Sequence, residues 1–318
     1  MSGKLSEVEK RISTVHQLDT VVTAMRGLAA ARSREARGRL DGVRAYASVV
    51  GAAIGEALAL TSQTAPAEVR GHRPGGHVVI ALCAEQGFAG AFNDRVMEKA
   101  AQHFGSGSVE LLLVGHRGAA VAAERGMAFD WSASMVLHAD EAPALANRIT
   151  DALYDRLRKG RATKVTAVHA VPGPSGSIEI VERMLLPFDF TRFKVAQTAI
   201  APIVTLPPER LLAELAEEYV YAELCEAVIL SYAAENEARM RAMIAARTNV
   251  ERKLTELVGS YRTLRQEEIT AEIIELSAGA AAGEQRVKTD GPATDENTEG
   301  RDVRSRKHKG EDRHARGS

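Results

Sequence analysis

With 318 residues the chain is long enough for two ordinary domains, or for one domain plus a long helical element. Its 26% charged residues balance to a formal net charge of −1, so no global charge excess points to nucleic acid or to an acidic membrane surface. Aromatic residues are only 4%, and the two cysteines, Cys83 and Cys225, are far apart, which excludes a disulfide framework and a zinc spacing and fits a reduced, cytoplasmic protein.

Residues 1–60 read as one long helix. Leu5, Val8, Ile12 and Val15 begin an apolar stripe that continues through Val22, Met25 and Ala29. Ser6 and Glu9 have capping-box spacing, which predicts a start near residue 6. At 1.5 Å per residue, such a helix runs on the order of 80 Å, more than a compact domain spans. The opening MSGKLSEVEKR lacks the apolar core of a signal peptide. Ala45–Leu60 carries Glu56 and falls short of the roughly 18–20 apolar residues that span a bilayer, so no direct membrane insertion is expected.

Residues 61–76, TSQTAPAEVRGHRPGG, form a linker by composition. Residues 77–190 then alternate strand and helix patterns. Strands are predicted at His77–Cys83, Val109–Gly115, Lys164–Val171 and Ser177–Pro187, with helices over Ala91–Phe104, Arg117–Arg125 and Asp140–Lys159. This order predicts a small α/β domain with a mainly parallel sheet. Residues 191–207 are an irregular connection, and the Pro207–Pro208 pair suits the first turn of a following helix.

A second long helix is predicted over 208–282. Its stretch Ala234–Ala282 is rich in good helix formers, and apolar residues recur at Met243, Ala246, Val250, Leu254, Leu257, Tyr261 and Leu264. Alternating steps of three and four make a heptad-like seam, built to lie along another helix. The helix over 1–60 supplies that partner. The fold class is therefore α/β with a long antiparallel two-helix coiled coil formed by the N- and C-terminal helices and an inserted domain. Residues 283–318 hold mixed charges and no aromatic residue, too little apolar surface to offset ordering entropy, and read as a disordered tail.

The candidate chemistry is sparse. The turn CAEQGFAGAFN follows a strand and opens a helix, where a phosphate could meet backbone N–H groups, but neither G-x-G-x-x-G nor a Walker A motif occurs. An α/β nucleotide-binding enzyme with a helical dimerisation rod is the alternative this turn keeps open. The histidines at 72, 77, 103, 116, 138 and 169 form no i,i+4 metal pair, and Ser175 lacks a nucleophile elbow. The tail run RSRKHKGEDRH carries acidic neighbours, which weakens a third reading as a nucleic-acid scaffold. No catalytic residue, cofactor or metal ligand is expected.

Specific motifs decide among these readings. RISTVHQLDTVVTAMRGLAAAR (11–32), a looser turn retaining Gly87, Gly90, Phe92 and Asn93, EARMRAMIAARTN (237–249), RQEEIT (265–270) and ITAEIIELSAGAAA (269–282), the strongest of them, occur in order. In these runs the chain resembles the gamma subunit of F-type rotary ATP synthases from about residue 3 to 282. It departs at Thr20 and Thr23, where the family has lysines, at Asp19, at Tyr261-Arg262 and in TLPPE (205–209). These departures point to a divergent gamma subunit, of the kind an alternative ATPase operon would encode. The resemblance implies a non-catalytic central-stalk rotor that couples ion flow through a membrane c-ring to ATP synthesis or hydrolysis. The implied partners are three alpha and three beta subunits, epsilon and the c-ring, on the cytoplasmic face of the cell membrane. Arg265, Gln266 and Thr270 match family positions that contact beta-subunit loops, and Met25 and Arg26 fall at a second contact region.

Overall fold

The computed structural model describes residues 2–61, 76–105, 107–196 and 203–289. Helix α1 covers Ser2–Leu60 and helix α5 covers Pro208–Thr289, with the sheet and three shorter helices between them in sequence. The chain divides into two compact units: Ser6–Ser260, and the first residues together with α5 from Tyr261 onward.

In the larger unit α1 and α5 run antiparallel, because contact partners rise in number along one helix as they fall along the other. Asp19 faces Arg247 at 3.7 Å, Ser33 donates to Glu237 at 3.3 Å, and Arg44 donates to Glu226 at 2.8 Å. Further along, the Tyr46 and Tyr221 rings meet edge-on with centroids 6.5 Å apart. Of the predicted seam, Met243 and Leu257 are buried, and Ala246, Val250 and Leu254 are half-buried.

Strands β1 (Gly76–Leu82), β2 (Val109–Val114), β3 (Trp131–Ala133), β4 (Ala162–Pro172) and β5 (Ile178–Leu186) form one sheet in the order β3-β2-β1-β4-β5. All pairs are parallel except β4 with β5. A central parallel strand is covered on both faces, so HVVIAL is a continuous apolar run, not an alternating one. Val78, Ile80 and Leu82 turn to one face with Leu112, Val114, Val165 and Ala167. There they share a core with α4 (Ala142–Arg158), Ala36 and Leu40 of α1, and the α5 run Val220–Ala233. Val79, Ala81 and Cys83 turn to the other face, against α2 (Phe92–Ala101) and α3 (His116–Glu124). A third cluster joins Val50, Ile54 and Ala57 of α1 to Leu212, Phe188, Phe193 and Tyr219.

Several boundaries differ from the sequence expectations. Helix α1 begins at Ser2, so Ser6 and Glu9 lie inside it; i,i+3 spacing is also that of helix neighbours and is not confined to caps. Strand β3 is too short for a periodic signal. The predicted helix over Asp140–Lys159 opens with a 3-10 turn, Ala139–Glu141, whose Glu141 carboxylate accepts from the Leu137 amide at 2.9 Å. Helix α5 continues through residues 283–289; the rest of the expected tail, and all but the ends of the 61–76 linker, fall outside the described residues. Finally, α1 does hold an 18-residue window with mean hydropathy 1.4. In the last part of that helix Val50, Ile54 and Ala57 are buried against protein, while the window as a whole is 22% buried.

Candidate functional site

The described residues present two kinds of candidate surface: a polar junction between sheet and shaft, and an exposed stretch of α5. The junction starts where β1 ends. Asn93, one residue into α2, accepts from the Ala84 amide at 2.8 Å and closes the turn 84–93 on itself. Glu85 accepts from the Met135 amide at 2.8 Å and pairs with the His116 ring. Gly115 has φ +92°, and a Cβ there would lie 2.3 Å from the Cys83 carbonyl oxygen, so only glycine lets the two strand ends approach. Asp94 stands in the first turn of α2, where its charge opposes a bound anion. The turn is thus tied up by its own side chains. Phe88 sits at φ +62° with its side chain 67% exposed.

Helix α5 meets this turn with charged groups that are almost fully buried. Arg239, 4% exposed, donates to the Gly87 carbonyl at 3.2 Å, the Gln86 carbonyl at 3.3 Å and Asn236 Oδ1 at 3.0 Å, and pairs with Glu235 one turn away. Burial pushes the Glu235 carboxyl above its ordinary range, with Arg239 opposing. On the α1 side, Glu237 accepts from Ser33 and pairs with Arg37. A second polar group lies lower in the numbering. Glu223, 3% exposed, accepts from Arg192 at 2.7 Å, and Glu226 accepts from Arg44 at 2.8 Å and Arg183 at 3.3 Å. Desolvation raises Glu226, but the two guanidinium groups outweigh it and hold the carboxyl below its usual range.

The predicted contact residues are placed as follows. Arg265, Gln266 and Thr270 are exposed on α5. Arg265 donates to the Tyr261 hydroxyl at 3.0 Å, and Thr270 donates to the Gln266 carbonyl at 2.8 Å, so each is oriented by a neighbour one turn away. Gln266 and Thr270 line a shallow open hollow with Thr263, Glu267, Ala271 and Ile274. Ile269, Ile273, Ile274 and Leu276 on the same stretch are 47–74% exposed. Met25 and Arg26 are half-buried on α1, beside buried Ala29.

Sequence reasoning missed Arg239, Glu235 and Glu223 as a working set. The Glu235–Arg239 spacing of four was a legible signal, but nothing local says that this pair is buried. No three His, Cys, Asp or Glu side chains converge as metal ligands among the described residues. Burial raises the Cys83 thiol far above its ordinary value and raises Cys225 too, which makes both poor nucleophiles.

Comparison with known proteins places this architecture. A family model described as ATP synthase matches residues 4–282. The ATP synthase gamma chain of Bdellovibrio bacteriovorus is 26% identical over 293 residues, 88% of this chain and 99% of that one. The gamma chain of Fuscovulum blasticum is 27% identical over 290 residues, 87% of this chain and 99% of that one. Among solved structures, a chain of the Euglena gracilis mitochondrial ATP synthase (OSCP/F1/c-ring) aligns with TM-score 0.63 at 14% identity, covering 94% of this chain and all of that one. The structural likeness shows the shared fold alone. The family model covers nearly all of both long helices and everything between them. Together with gamma chains matched end to end, that extent means the chain belongs to the ATP synthase family as a gamma chain, the non-catalytic subunit of the central stalk.

Proposed function

We propose that this subunit is the rotor that couples ion flow through a membrane c-ring to ATP synthesis or hydrolysis in a ring of three alpha and three beta subunits. The observation that carries the proposal is the α5 stretch 262–280. There four large aliphatic side chains, Ile269, Ile273, Ile274 and Leu276, stand exposed in a chain of this family. A row of exposed aliphatic side chains is a surface made to be covered. On this reading the alpha and beta subunits cover it, Arg265, Gln266 and Thr270 contact beta-subunit loops, and Met25 and Arg26 make a second contact. The shaft has no symmetry of its own, so it offers each of three catalytic subunits a different face. Different contact free energies bias the three sites toward different states, which is all that coupling requires. The α/β domain, with the epsilon subunit, is the part that engages the c-ring, and the complex is peripheral on the cytoplasmic face of the membrane.

The experiment is co-expression of the tagged chain with the alpha and beta subunits of its host, with and without epsilon. The expected product is a purified complex that hydrolyses ATP while the isolated chain does not. Failure to recover any alpha–beta complex under either condition overturns the proposal.

A further inference from the structure

A rotor subunit must pass torque between its α/β domain and its shaft, and torque acts on that junction as shear. The apolar part of the junction resists separation, and it resists sliding only through the fit of its side chains, because hydrophobic contact itself has no direction. On α5 it holds Val220, Leu224, Val228, Ile229 and Tyr232 beside Ala227, Ala233, Ala234 and Ala238, all of them buried. Hydrogen bonds and ion pairs are directional, and weaken steeply as their angles are spoiled. The two polar groups at the junction are of that kind.

They also penalise slippage in a second way. Glu223, Glu235 and Arg239 are 3%, 3% and 4% exposed. If the sheet slid along or around α5, Glu223 would lose Arg183 and Arg192, and Arg239 would lose the Gln86 and Gly87 carbonyls while keeping Glu235 on its own helix. Buried charged groups deprived of partners in this way are costly, which drives the surfaces back into register. Arg239 holds the two main-chain carbonyls of the 84–93 turn at the end of β1, while Glu223 and Glu226 hold Arg183 of β5 and Arg192 just beyond it. The rise along α5 from Glu223 to Arg239 is on the order of 24 Å. Each attachment opposes sliding and rotation by itself, so either one holds the register when the other is lost.

We infer that these two clasps form a shear lock, in which Arg239 and Glu223 are positioning residues that fix the angular register of the α/β domain on α5. The need for such a lock rests on the rotor reading above; its existence does not.

The test uses the full chain with spin labels at Glu124→Cys on α3 and Glu251→Cys on α5, both exposed positions, while native Cys83 and Cys225 stay buried and unreactive. One clasp is removed by Glu235→Leu with Arg239→Met, which takes out both members of the buried pair and leaves no stranded charge. The other is removed by Glu223→Leu with Glu226→Gln, which strands only half-exposed arginines. Either change alone is expected to leave the label–label distance distribution within about 1.3-fold of its original width. Both together are expected to widen it at least about twofold while the melting transition remains cooperative. In the reconstituted complex the combined variant should keep ATP hydrolysis within about twofold but lose at least about fivefold of ATP-driven ion pumping. An unchanged distance width in the combined variant overturns the lock. So does a parallel fall of hydrolysis and pumping, since loss of stability alone lowers both. A wild-type chain that fails to assemble sinks the rotor reading, and the label distances still decide the lock.

Discussion

One helix, α5, lives under two regimes. From Val220 to Arg239 nearly every residue is buried, whichever way it points, including Tyr232, Asn236 and three glutamates. From Arg262 to Ala280 only Leu264, Glu268 and Ala271 are even half-buried. Propensity does not separate the two stretches, since both are rich in alanine, glutamate and leucine. What separates them is that the first has its partners within the chain. A fully wrapped helix segment is a core element whose sequence answers to packing, whereas an exposed one with aliphatic residues answers to something outside the chain.

The sharpest way to test that contrast is to delete equivalent bulk from each stretch. Tyr232 is 2% exposed and its hydroxyl donates to the Leu137 carbonyl at 2.6 Å. Tyr232→Ala removes a buried ring and orphans that carbonyl, and should destabilise the isolated chain by about 3–5 kcal/mol in urea unfolding. Ile273, 58% exposed, should change stability by less than about 0.5 kcal/mol on going to Ala. Equal effects at the two positions would erase the distinction.

A smaller effect tests the polar part of the wrapped stretch. In the Arg37–Glu237 pair the arginine side chain is 55% exposed and the glutamate 2%. Arg37→Ala leaves a buried carboxylate with Ser33 as its remaining partner, and should cost about 2–3 kcal/mol. Glu237→Ala leaves an arginine that water can solvate, and should cost about 1 kcal/mol. The asymmetry, read from paired unfolding curves, is the test; a reversed order would mean that Glu237 is hydrated in solution.

The sequence carried the periodic elements better than the wrapped stretch of α5. The heptad-like spacing of Met243, Val250 and Leu257 and the parallel-strand signature of HVVIAL were both readable, because periodicity is a local property. So was the antiparallel helix pair, since long helices at the two ends of a chain need partners. What local pattern could not reveal was the shared core. Val228, Tyr232 and Ala233 share a core cluster with Ile80 and Leu112, far away in sequence, so nothing local showed that the inserted domain and the helix pair are joined in one core. The buried charges escaped for the same reason: Glu235 and Arg239 look like an ordinary surface i,i+4 pair until the 84–93 turn covers them. Strand β3, at three residues, lies below what any period can report.

Acid should affect the sheet. His169 on β4 is 2% exposed, and burial lowers its pKa to about 4, with Arg183 adding to the fall and Glu226 opposing it. The unfolded chain then binds a proton near pH 6.5 that the folded chain refuses until about pH 4. Stability is therefore intact above about pH 6.5 and declines as pH drops toward 4, by about 2 kcal/mol at pH 5 from this residue. His169→Leu should flatten that part of the stability–pH curve. An unchanged acid slope in the variant would mean that other groups set it.

The smallest stability effects belong to Arg265, Gln266 and Thr270, and they carry the most functional weight. The Arg265–Tyr261 and Thr270–Gln266 hydrogen bonds stay within the helix, one turn apart, and such exposed contacts contribute little. Replacing each by alanine should leave the melting of the isolated chain within about 0.5 kcal/mol of the original. If beta-subunit loops lie against this face, each replacement removes polar contacts that differ among the three catalytic sites. ATP hydrolysis in the reconstituted complex should then fall by about three- to tenfold, equivalent to about 0.7–1.4 kcal/mol of lost differential contact. Met25→Ala and Arg26→Ala, from a half-buried position, should show a milder version of the same dissociation. Silence at all five positions in the assembled complex, with unchanged melting, would move the working face of the shaft elsewhere, to the aliphatic row of Ile269, Ile273 and Leu276.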